Sequence, residues 1–417
     1  MPLEINTLAI SLVLALFLLW KLDFIATILS LKHLKPDLPE EFRGIWDDSK
    51  YAEAQKYERA QAQFRVVSSI AGLTALLVFW FLGGFGWLDT FSRGFGQGAI
   101  ATGLLFVAGM YLLSWLFSLP FELYHTFILE EKFGFNKTTP ATFVTDQIKS
   151  LLITAILGIP FIALLLWIFQ SIENAWIWAW ISVTVISLAL TYLAPSLILP
   201  LFNKFEPLED GELNDEIQAM AQKCEFPLTE ISVMDGSKRS AKANAFFTGM
   251  GKRKKIALYD TLVDKQTVPE LVAVLAHEIG HFKCKHIIQR LVLSVMQMAV
   301  IFFLLGLATD AGNEFGRQLF AAFAVEPSHA AGLVLFMLVF KPVSRVISIL
   351  MNMLSRKHEF EADAYAADKQ GTPENLVSAL KKLSAENLSN LTPHPLEVFL
   401  DHSHPPVLTR IKALRSR

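Results

Sequence analysis

Residues 174–203 read NAWIWAWISVTVISLALTYLAPSLILPLFN and contain no Asp, Glu, Lys or Arg. A helix needs about 20 mostly apolar residues to cross a bilayer, so this stretch is long enough to be a membrane span. Comparable stretches with at most two charged residues recur along the chain and predict seven spans: 5–31, 66–88, 94–121, 150–172, 174–203, 291–309 and 327–355. Buried helices of soluble proteins are rarely this long and apolar. The pattern therefore predicts an all-α polytopic membrane protein.

The composition agrees with a membrane protein. Hydrophobic residues make up 53% of the 417 residues and charged residues 18%, whereas soluble domains average about 25% charged residues. The high apolar content excludes a disordered chain, and a net charge of −2 gives no basic field for nucleic acid. Cys224 and Cys284 are too few for a disulfide framework. The first span lacks the basic flank and the cleavage site of a signal peptide.

The distribution of Lys and Arg predicts which loops face the cytoplasm. Loop 32–65 carries seven of these residues, whereas the loops on the opposite side hold only Arg93 and Arg317. We therefore expect the N-terminus outside and the C-terminus in the cytoplasm. The predicted division of the chain is spans one to five with their loops at 1–203, a cytoplasmic segment at 204–290, spans six and seven at 291–355, and a cytoplasmic C-terminal segment at 356–417.

The segment TVPELVAVLAHEIGHFKCKH at 267–286 carries an HExxH motif. It opens with the capping-box pattern TVPE, and apolar residues then recur at helical spacing. His277 and His281 are four residues apart, so they project from one helix face, one turn apart, as a shared metal ion requires. Glu278 lies beside His277 but off that face, where it can reach a water on the metal and act as the general base.

A catalytic zinc ion needs a third protein ligand and an open fourth position. Glu359 and Asp363 follow the last span and share a helix face, whereas Glu361 points elsewhere. We expect Glu359 to be the third ligand and Asp363 to accept a hydrogen bond from a ligand histidine, which fixes its tautomer. His358 is the rival third ligand. Cys284 lies near the ligand face but a turn too far along, and it is interpreted as a packing residue.

The predicted topology brings the two half-sites together. The HExxH helix immediately precedes span six, which leaves the cytoplasm, and span seven returns and delivers Glu359 four residues after its end. We therefore expect one Zn²⁺ ion at the cytoplasmic boundary of the membrane. Zinc lowers the pKa of its water to about 7. With Glu278 as the base, this combination indicates a metalloendopeptidase that hydrolyses amide bonds.

On these residues the chain resembles the type I CAAX prenyl protease family of integral-membrane zinc metallopeptidases. The resemblance covers nearly the whole chain. Besides HExxH it rests on EFEAD at 359–363, EEKFGFNKTT at 130–139, LFNKF at 201–205, NAFF at 244–247, and HPP at 404–406 followed by Arg410. HExxH alone is shared by many proteases, but the set together is specific.

The resemblance implies a barrel of seven long helices around a large intramembrane chamber. A mainly helical protease domain with a small edge-strand element lies at its cytoplasmic end. The resemblance also implies His277, His281 and Glu359 as the zinc ligands and Glu278 as the base. The implied reaction is release of the C-terminal tripeptide from a prenylated peptide.

The family motifs imply three further site residues. Asn244 would hold the substrate backbone on the edge strand, in a β-augmentation mode. His404 would help to stabilise the oxyanion, and Arg410 would support His404 or the substrate. From the residues alone, Asn244 could be a simple turn residue and His404 a satisfied loop histidine.

Two alternative functions fit the same sequence. One is a broad-specificity protease that degrades damaged membrane proteins with the same catalytic residues. The other is a transporter or channel with a non-catalytic zinc domain. The expected partners are a peptide or protein substrate, possibly lipidated, and membrane lipid, with no nucleic acid. The basic run at 252–255 either contacts anionic lipid or is a solvated face.

The location of the protein is predicted from its loops and its C-terminal sequence. The loop between spans six and seven is short, and the last residues, IKALRSR, contain no dilysine or KDEL-type retrieval signal. These features favour a bacterial plasma membrane over the endoplasmic reticulum.

Overall fold

The computed structural model describes residues 2–248 and 254–417, so that Lys252 and Arg253 of the basic run lie outside the described residues. Its helices are α1 (Thr7–His33), α2 (Asp48–Phe81), α3 (Gly84–Arg93), α4 (Ala99–Tyr124), α5 (Pro140–Ser171), α6 (Ala175–Leu197), α7 (Glu212–Lys223), α8 (Asp260–Val263), α9 (Val268–Lys283), α10 (His286–Thr309), α11 (Glu314–Ala322), α12 (His329–Gln370), α13 (Glu374–Glu386), α14 (Pro395–Asp401) and α15 (Val407–Arg415). In the described residues, seven of them (α1, α2, α4, α5, α6, α10 and α12) are long and apolar enough to cross a membrane. The predicted number of spans is thus confirmed.

The seven long helices form a closed ring. Neighbours in the ring are α1 and α2, α4 and α5, α5 and α6, α6 and α10, α10 and α12, and α12 and α1. The helix α12 also contacts α4 and α5, and Gly103 on α4 approaches Ala330 in the first turn of α12. The ring closes between α2 and α4 through the π-helical turn His125–Glu130, which continues α4. The arrangement is the predicted barrel, and a cavity of about 470 Å³ opens among α1, α2 and α12.

An apolar plug closes one end of the ring. It is built from α3, α11 and the turn after α11. The Trp80 ring stacks on Phe323 with ring centroids 4.2 Å apart, Phe85 meets the same ring edge-on at 5.0 Å, and Trp80 Nε1 donates to the carbonyl of Ala322 at 2.7 Å. The other end carries a second core, to which loop 34–47, α7, α9, α13 and α15 contribute. The basic loop between the first two spans therefore lies at the end with the second core.

A four-stranded sheet completes this second core. Its strands are β1 (Phe205–Pro207), β2 (Leu228–Met234), β3 (Ala245–Thr248) and β4 (Lys254–Tyr259), in the order β1-β2-β4-β3. The pair β2 and β4 is parallel, and β3 pairs antiparallel with β4 as an edge strand. The predicted small edge-strand element in a mainly helical domain is thus present, and it begins directly after Asn244.

The start of α9 follows from the capping box. The backbone N–H of Thr267 donates to Glu270 Oε2 at 2.8 Å, and the Thr267 side chain caps the first turn in return. Glu270 also accepts hydrogen bonds from Ser378 at 2.6 Å and Lys382 at 2.7 Å on α13. Burial opposes ionisation of Glu270, but these hydrogen bonds together lower the pKa of the carboxyl. The cap therefore fixes both the first turn of α9 and its contact with α13.

Candidate metal centre

The site lies where α9 crosses α12. A Cβ atom at Gly280 would lie 3.0 Å from the Cα atom of Ala362 and 3.1 Å from its carbonyl oxygen, so glycine permits this close backbone approach. The helix α12 continues unbroken beyond the predicted end of span seven at 355 and carries Glu359 and Asp363 on its extension. The membrane span and the second half-site are thus parts of one rigid helix.

His277, His281 and Glu359 converge as the sequence predicts. The two Nε2 atoms are 3.2 Å apart, and Glu359 places Oε2 3.4 Å from His277 Nε2 and Oε1 3.3 Å from His281 Nε2. Ligands bonded at about 2.0–2.1 Å to a tetrahedral zinc ion are about 3.3–3.4 Å from one another. Each imidazole nitrogen thus lies at this separation from the other and from one oxygen of the Glu359 carboxylate, and one donor atom from each residue can be chosen so that all three lie within 4.8 Å of one another. These three residues form the triangle of candidate metal ligands.

The chemistry of these donors also fits a metal ion. His277 Nδ1 faces the Asp363 carboxylate and His281 Nδ1 faces His286 Nδ1, so in the neutral tautomers with the proton on Nδ1 both Nε2 atoms present lone pairs to the triangle. Glu359 Oε2 is buried, and no donor in the described chain hydrogen-bonds to it, although Arg410 Nη1 lies 3.4 Å away. Three lone pairs at this separation repel one another unless a cation lies between them. The residues present therefore fit a divalent metal.

Asp363 orients the first histidine. His277 Nδ1 lies 2.8 Å from Asp363 Oδ1, and the guanidinium of Arg410 holds both oxygens of this carboxylate, at 2.6 and 2.8 Å. Burial disfavours a charged His277 ring, but the neighbouring carboxylates of Asp363 and Glu359 raise the pKa of the imidazole to about 9. The surrounding carboxylates thus favour positive charge at this position.

The expected base lies at the edge of a cleft. Glu278 is half-buried and lines a cavity of about 160 Å³ together with Asn244, His404 and Arg410. Burial raises the pKa of the Glu278 carboxyl above its usual value. A general base whose pKa lies closer to neutrality transfers protons in both directions more readily. The four site residues predicted around the metal therefore share one cleft.

His404 and Asn244 flank this cleft on different elements. His404 lies in the loop between α14 and α15, with Nε2 3.4 Å from Glu359 Oε1 and Nδ1 3.0 Å from the hydroxyl of Ser403. Asn244 is exposed at the start of β3, and its side-chain oxygen accepts from the backbone N–H of Ala245 at 2.9 Å. A loop residue and the start of the edge strand thus line the same groove.

Side chains of α12 hold the loop that carries His404. Asn352 donates to the carbonyl of Leu400 at 3.2 Å, and Arg356 donates to the carbonyls of Val398 at 2.9 Å and His402 at 2.5 Å. These hydrogen bonds from α12 were not predicted from the sequence. A signal was present, because Asn352 and Arg356 are four residues apart and lie on one face of the helix that bears Glu359.

The rival ligand His358 and the packing residue Cys284 lie outside the triangle. The His358 ring stacks on His286 with ring centroids 3.9 Å apart, and its Nε2 atom is 2.9 Å from Gln289 Oε1. Cys284 is the residue that ends α9, and it is not part of the ligand group found among the described residues. Glu361 is not part of this ligand group either, and its Oε2 atom lies 2.8 Å from His286 Nε2.

Comparisons with known proteins agree with this architecture. The family model for the N-terminal region of CAAX prenyl proteases, with five membrane helices, matches residues 27–204, and the model for peptidase family M48 matches residues 207–417. The chain belongs to the CAAX prenyl protease family. It is therefore a multi-pass membrane metalloprotease that acts on peptide or protein substrates.

Individual relatives match over most of their length. The chain is 36% identical to CAAX prenyl protease 1 of Saccharomyces cerevisiae, covering 93% of this chain and 89% of that protein. It is 33% identical to the CAAX prenyl protease 1 homolog of Homo sapiens, covering 91% of this chain and 89% of that protein. A crystal structure of S. mikatae Ste24p matches with a TM-score of 0.90 and 34% identity, over 98% of this chain and 99% of that chain.

These comparisons decide between the predicted classes of function. They confirm the family resemblance and the enzyme class, and they do not favour a transporter or channel. The relatives named above are eukaryotic, so they lend no support to the predicted bacterial plasma membrane, which stays a prediction.

Proposed function

We propose that this chain is a CAAX-type endopeptidase that uses one zinc ion to release the C-terminal tripeptide of a prenylated peptide. The observation that carries the proposal is the triangle of His277, His281 and Glu359 beside Glu278. This triangle lies at one end of a barrel that has open cavities between its spans. The first feature supports hydrolysis of a peptide bond. The second supports a substrate that carries a long apolar group into the membrane.

In the proposed centre, His277 Nε2, His281 Nε2 and a Glu359 oxygen hold the zinc ion. When bound, zinc polarises the scissile carbonyl and makes water more acidic. Glu278 takes the proton from the attacking water and passes it to the leaving amine nitrogen. Its half-buried carboxylate faces the same cleft as the ligands, which keeps the proton transfer short.

Three further residues complete the proposed centre. Asp363 keeps the proton of His277 on Nδ1, so that Nε2 stays free for the metal. Arg410 is buried and acts through Asp363, because it holds both oxygens of that carboxylate. Arg410 also lines the cleft, where its positive charge would meet a substrate carbonyl. We propose that His404, which lines the same cleft, donates a hydrogen bond to the developing oxyanion.

Asn244 is proposed to bind the substrate backbone. Among residues 2–248 and 254–417, the edge strand β3 pairs only with β4, so an extended peptide can add to its other side by main-chain hydrogen bonds. The Asn244 side chain lies at the start of this edge, beside the cleft.

The roles of His404 and Asn244 predict effects on different kinetic parameters. His404→Ala should lower kcat about 100-fold with little change in KM, because an oxyanion donor acts mainly in the transition state. Asn244→Ala should mainly raise KM, because backbone binding is similar in the ground and transition states. Steady-state kinetics on one peptide measures both parameters. Equal effects of the two substitutions on kcat and KM would contradict this division of roles.

The lipid part of the substrate is proposed from the barrel. The relatives are named CAAX prenyl proteases, and an open interior ringed by apolar spans can hold a prenyl chain away from water. Membrane lipid on the outer faces of the spans is the second proposed partner.

A matched pair of peptides tests this specificity. We expect the purified protein to cleave a farnesylated CAAX peptide with a kcat/KM at least 10-fold above that of the same peptide without the lipid, because burial of each CH₂ group contributes about 0.8 kcal/mol. Mass spectrometry of the released tripeptide follows the reaction. Equal cleavage of both peptides would reject lipid recognition and favour the broad-specificity protease.

We propose that the metal centre faces the cytoplasm. The basic loop 32–65 contributes to the same core as the HExxH helix, whereas Arg93 and Arg317 belong to the opposite end of the barrel. This charge distribution agrees with the positive-inside rule. The proposed division into membrane and cytoplasmic parts keeps its predicted boundaries at 203, 290 and 355, although α12 crosses the last of them as one helix.

A further inference from the structure

A chain of polar groups, with a buried histidine at its centre, lies behind the second histidine of the HExxH motif. His281 Nδ1 is 3.0 Å from His286 Nδ1, on the side of the ring away from the metal triangle. The other nitrogen of His286, Nε2, is 2.8 Å from Glu361 Oε2. The side chain of His286 is 1% exposed. His281 therefore has a buried partner of its own, as His277 has in Asp363.

The proton positions along this chain follow from one requirement. If His281 binds a metal through Nε2, its Nδ1 must carry the proton and donate it to His286 Nδ1. His286 must then have a bare Nδ1 and a proton on Nε2, which it donates to Glu361. One set of neutral tautomers satisfies every contact. An imidazolium at His286 would instead set two N–H groups against each other.

The local fold holds His286 in this orientation. Between α9 and α10 the chain turns at Lys285, which has a left-handed backbone with φ of 61°, and this turn brings His286 back against His281. The His286 ring stacks on His358 with planes 9° apart, and Gln289 holds the outer edge of His358. The face of the His286 ring and both of its nitrogens are therefore fixed by packing and hydrogen bonds.

We propose that His286 and Glu361 are positioning residues that fix the tautomer and orientation of the ligand His281. This inference rests on the proposed metal centre. The two ligand histidines then have different hydrogen-bond partners. His277 donates directly to the Asp363 carboxylate, which Arg410 holds. His281 donates to the neutral imidazole of His286, which in turn donates to Glu361. Partners of this kind typically change metal affinity by about 10–100-fold.

We call the hydrogen-bonded chain from His281 through His286 to Glu361 the relay. The zinc affinity of the full-length protein tests it independently of turnover. We expect His286→Phe, which keeps a ring to stack on His358 but offers no nitrogen, to weaken zinc binding about 10–100-fold in competition with a chelator. His286→Asn should retain most of the affinity, because its amide can occupy the Nδ1 position. The half-exposed Glu361→Ala should weaken binding several-fold without a large effect on folding.

His358→Phe is the matched control. His358 is 1% exposed, as is His286, and it makes the same stacking contact, but its imidazole Nε2 contacts Gln289 and not the side chain of a proposed ligand. We expect its zinc affinity to equal that of the unmodified protein. Thermal unfolding of the metal-free variants shows whether each of them folds.

The outcomes separate the relay from the metal centre. If the unmodified protein binds zinc tightly while His286→Phe and Glu361→Ala bind it equally tightly, the relay is overturned and the centre stands. Equal losses in His286→Phe, His286→Asn and His358→Phe would also overturn it, because they would reflect packing alone. If the unmodified protein binds no zinc at the triangle, the proposed centre itself fails.

Discussion

Glu278→Gln is expected to lower kcat about 10³-fold while zinc binding stays intact. The amide has nearly the same size and polarity as the carboxylate, but it cannot accept the proton of the attacking water. General acid–base groups contribute about 10²–10⁴-fold to such reactions, and Glu278 is proposed to act in two successive transfers. Turnover of a CAAX peptide measured together with the zinc content of the same sample gives both values.

The zinc content of the variant is the control, because it distinguishes a loss of proton transfer from a loss of the metal. Glu278 lines the cleft beside the metal triangle but does not belong to it. Loss of activity with full zinc content therefore assigns the loss to proton transfer. Hydrolysis at a normal rate in Glu278→Gln would contradict the proposed mechanism.

Glu359→Ala is expected to abolish stable zinc binding, and with it all hydrolysis. Removing a ligand leaves two imidazoles, and the loss of affinity should exceed the about 100-fold upper range for residues that merely support a ligand. Because the Glu359 side chain is only 3% exposed, solvent cannot readily replace its oxygen. Metal analysis of the purified variant after dialysis against a chelator measures the effect.

Asp368→Ala supplies a matched control on the same helix. The Asp368 side chain is 75% exposed and lies beyond the site. Its substitution should leave zinc content and turnover unchanged. Full zinc occupancy in Glu359→Ala would exclude Glu359 as a ligand and require another residue in its place.

The membrane part of the fold was predictable because span length and charge are local properties of the sequence. The limits of the helices were not, because charged residues mark the edge of the membrane and not the end of a helix. α2 begins at Asp48, far ahead of the predicted span at 66–88, and α12 continues to Gln370. Both extensions are amphipathic helices that pack in the second core.

The site was predictable where spacing along one helix decides it. His277 with His281, and Glu359 with Asp363, are each four residues apart, and helical geometry alone places each pair on one face. The contacts between different helices were not predictable. Arg410 meets Asp363 only because α15 packs against α12. His286 meets Glu361 through a turn whose left-handed residue, Lys285, carries no sequence signal of its own.

X-ray absorption at the zinc edge of the purified full-length protein identifies the ligands of the metal ion. We expect one zinc ion with two imidazole nitrogens and only oxygen in its other positions, all at about 2.0–2.2 Å. A sulfur ligand at about 2.3 Å would implicate a cysteine such as Cys284, and a third imidazole would implicate His358 or His286. Either result would contradict the triangle of His277, His281 and Glu359.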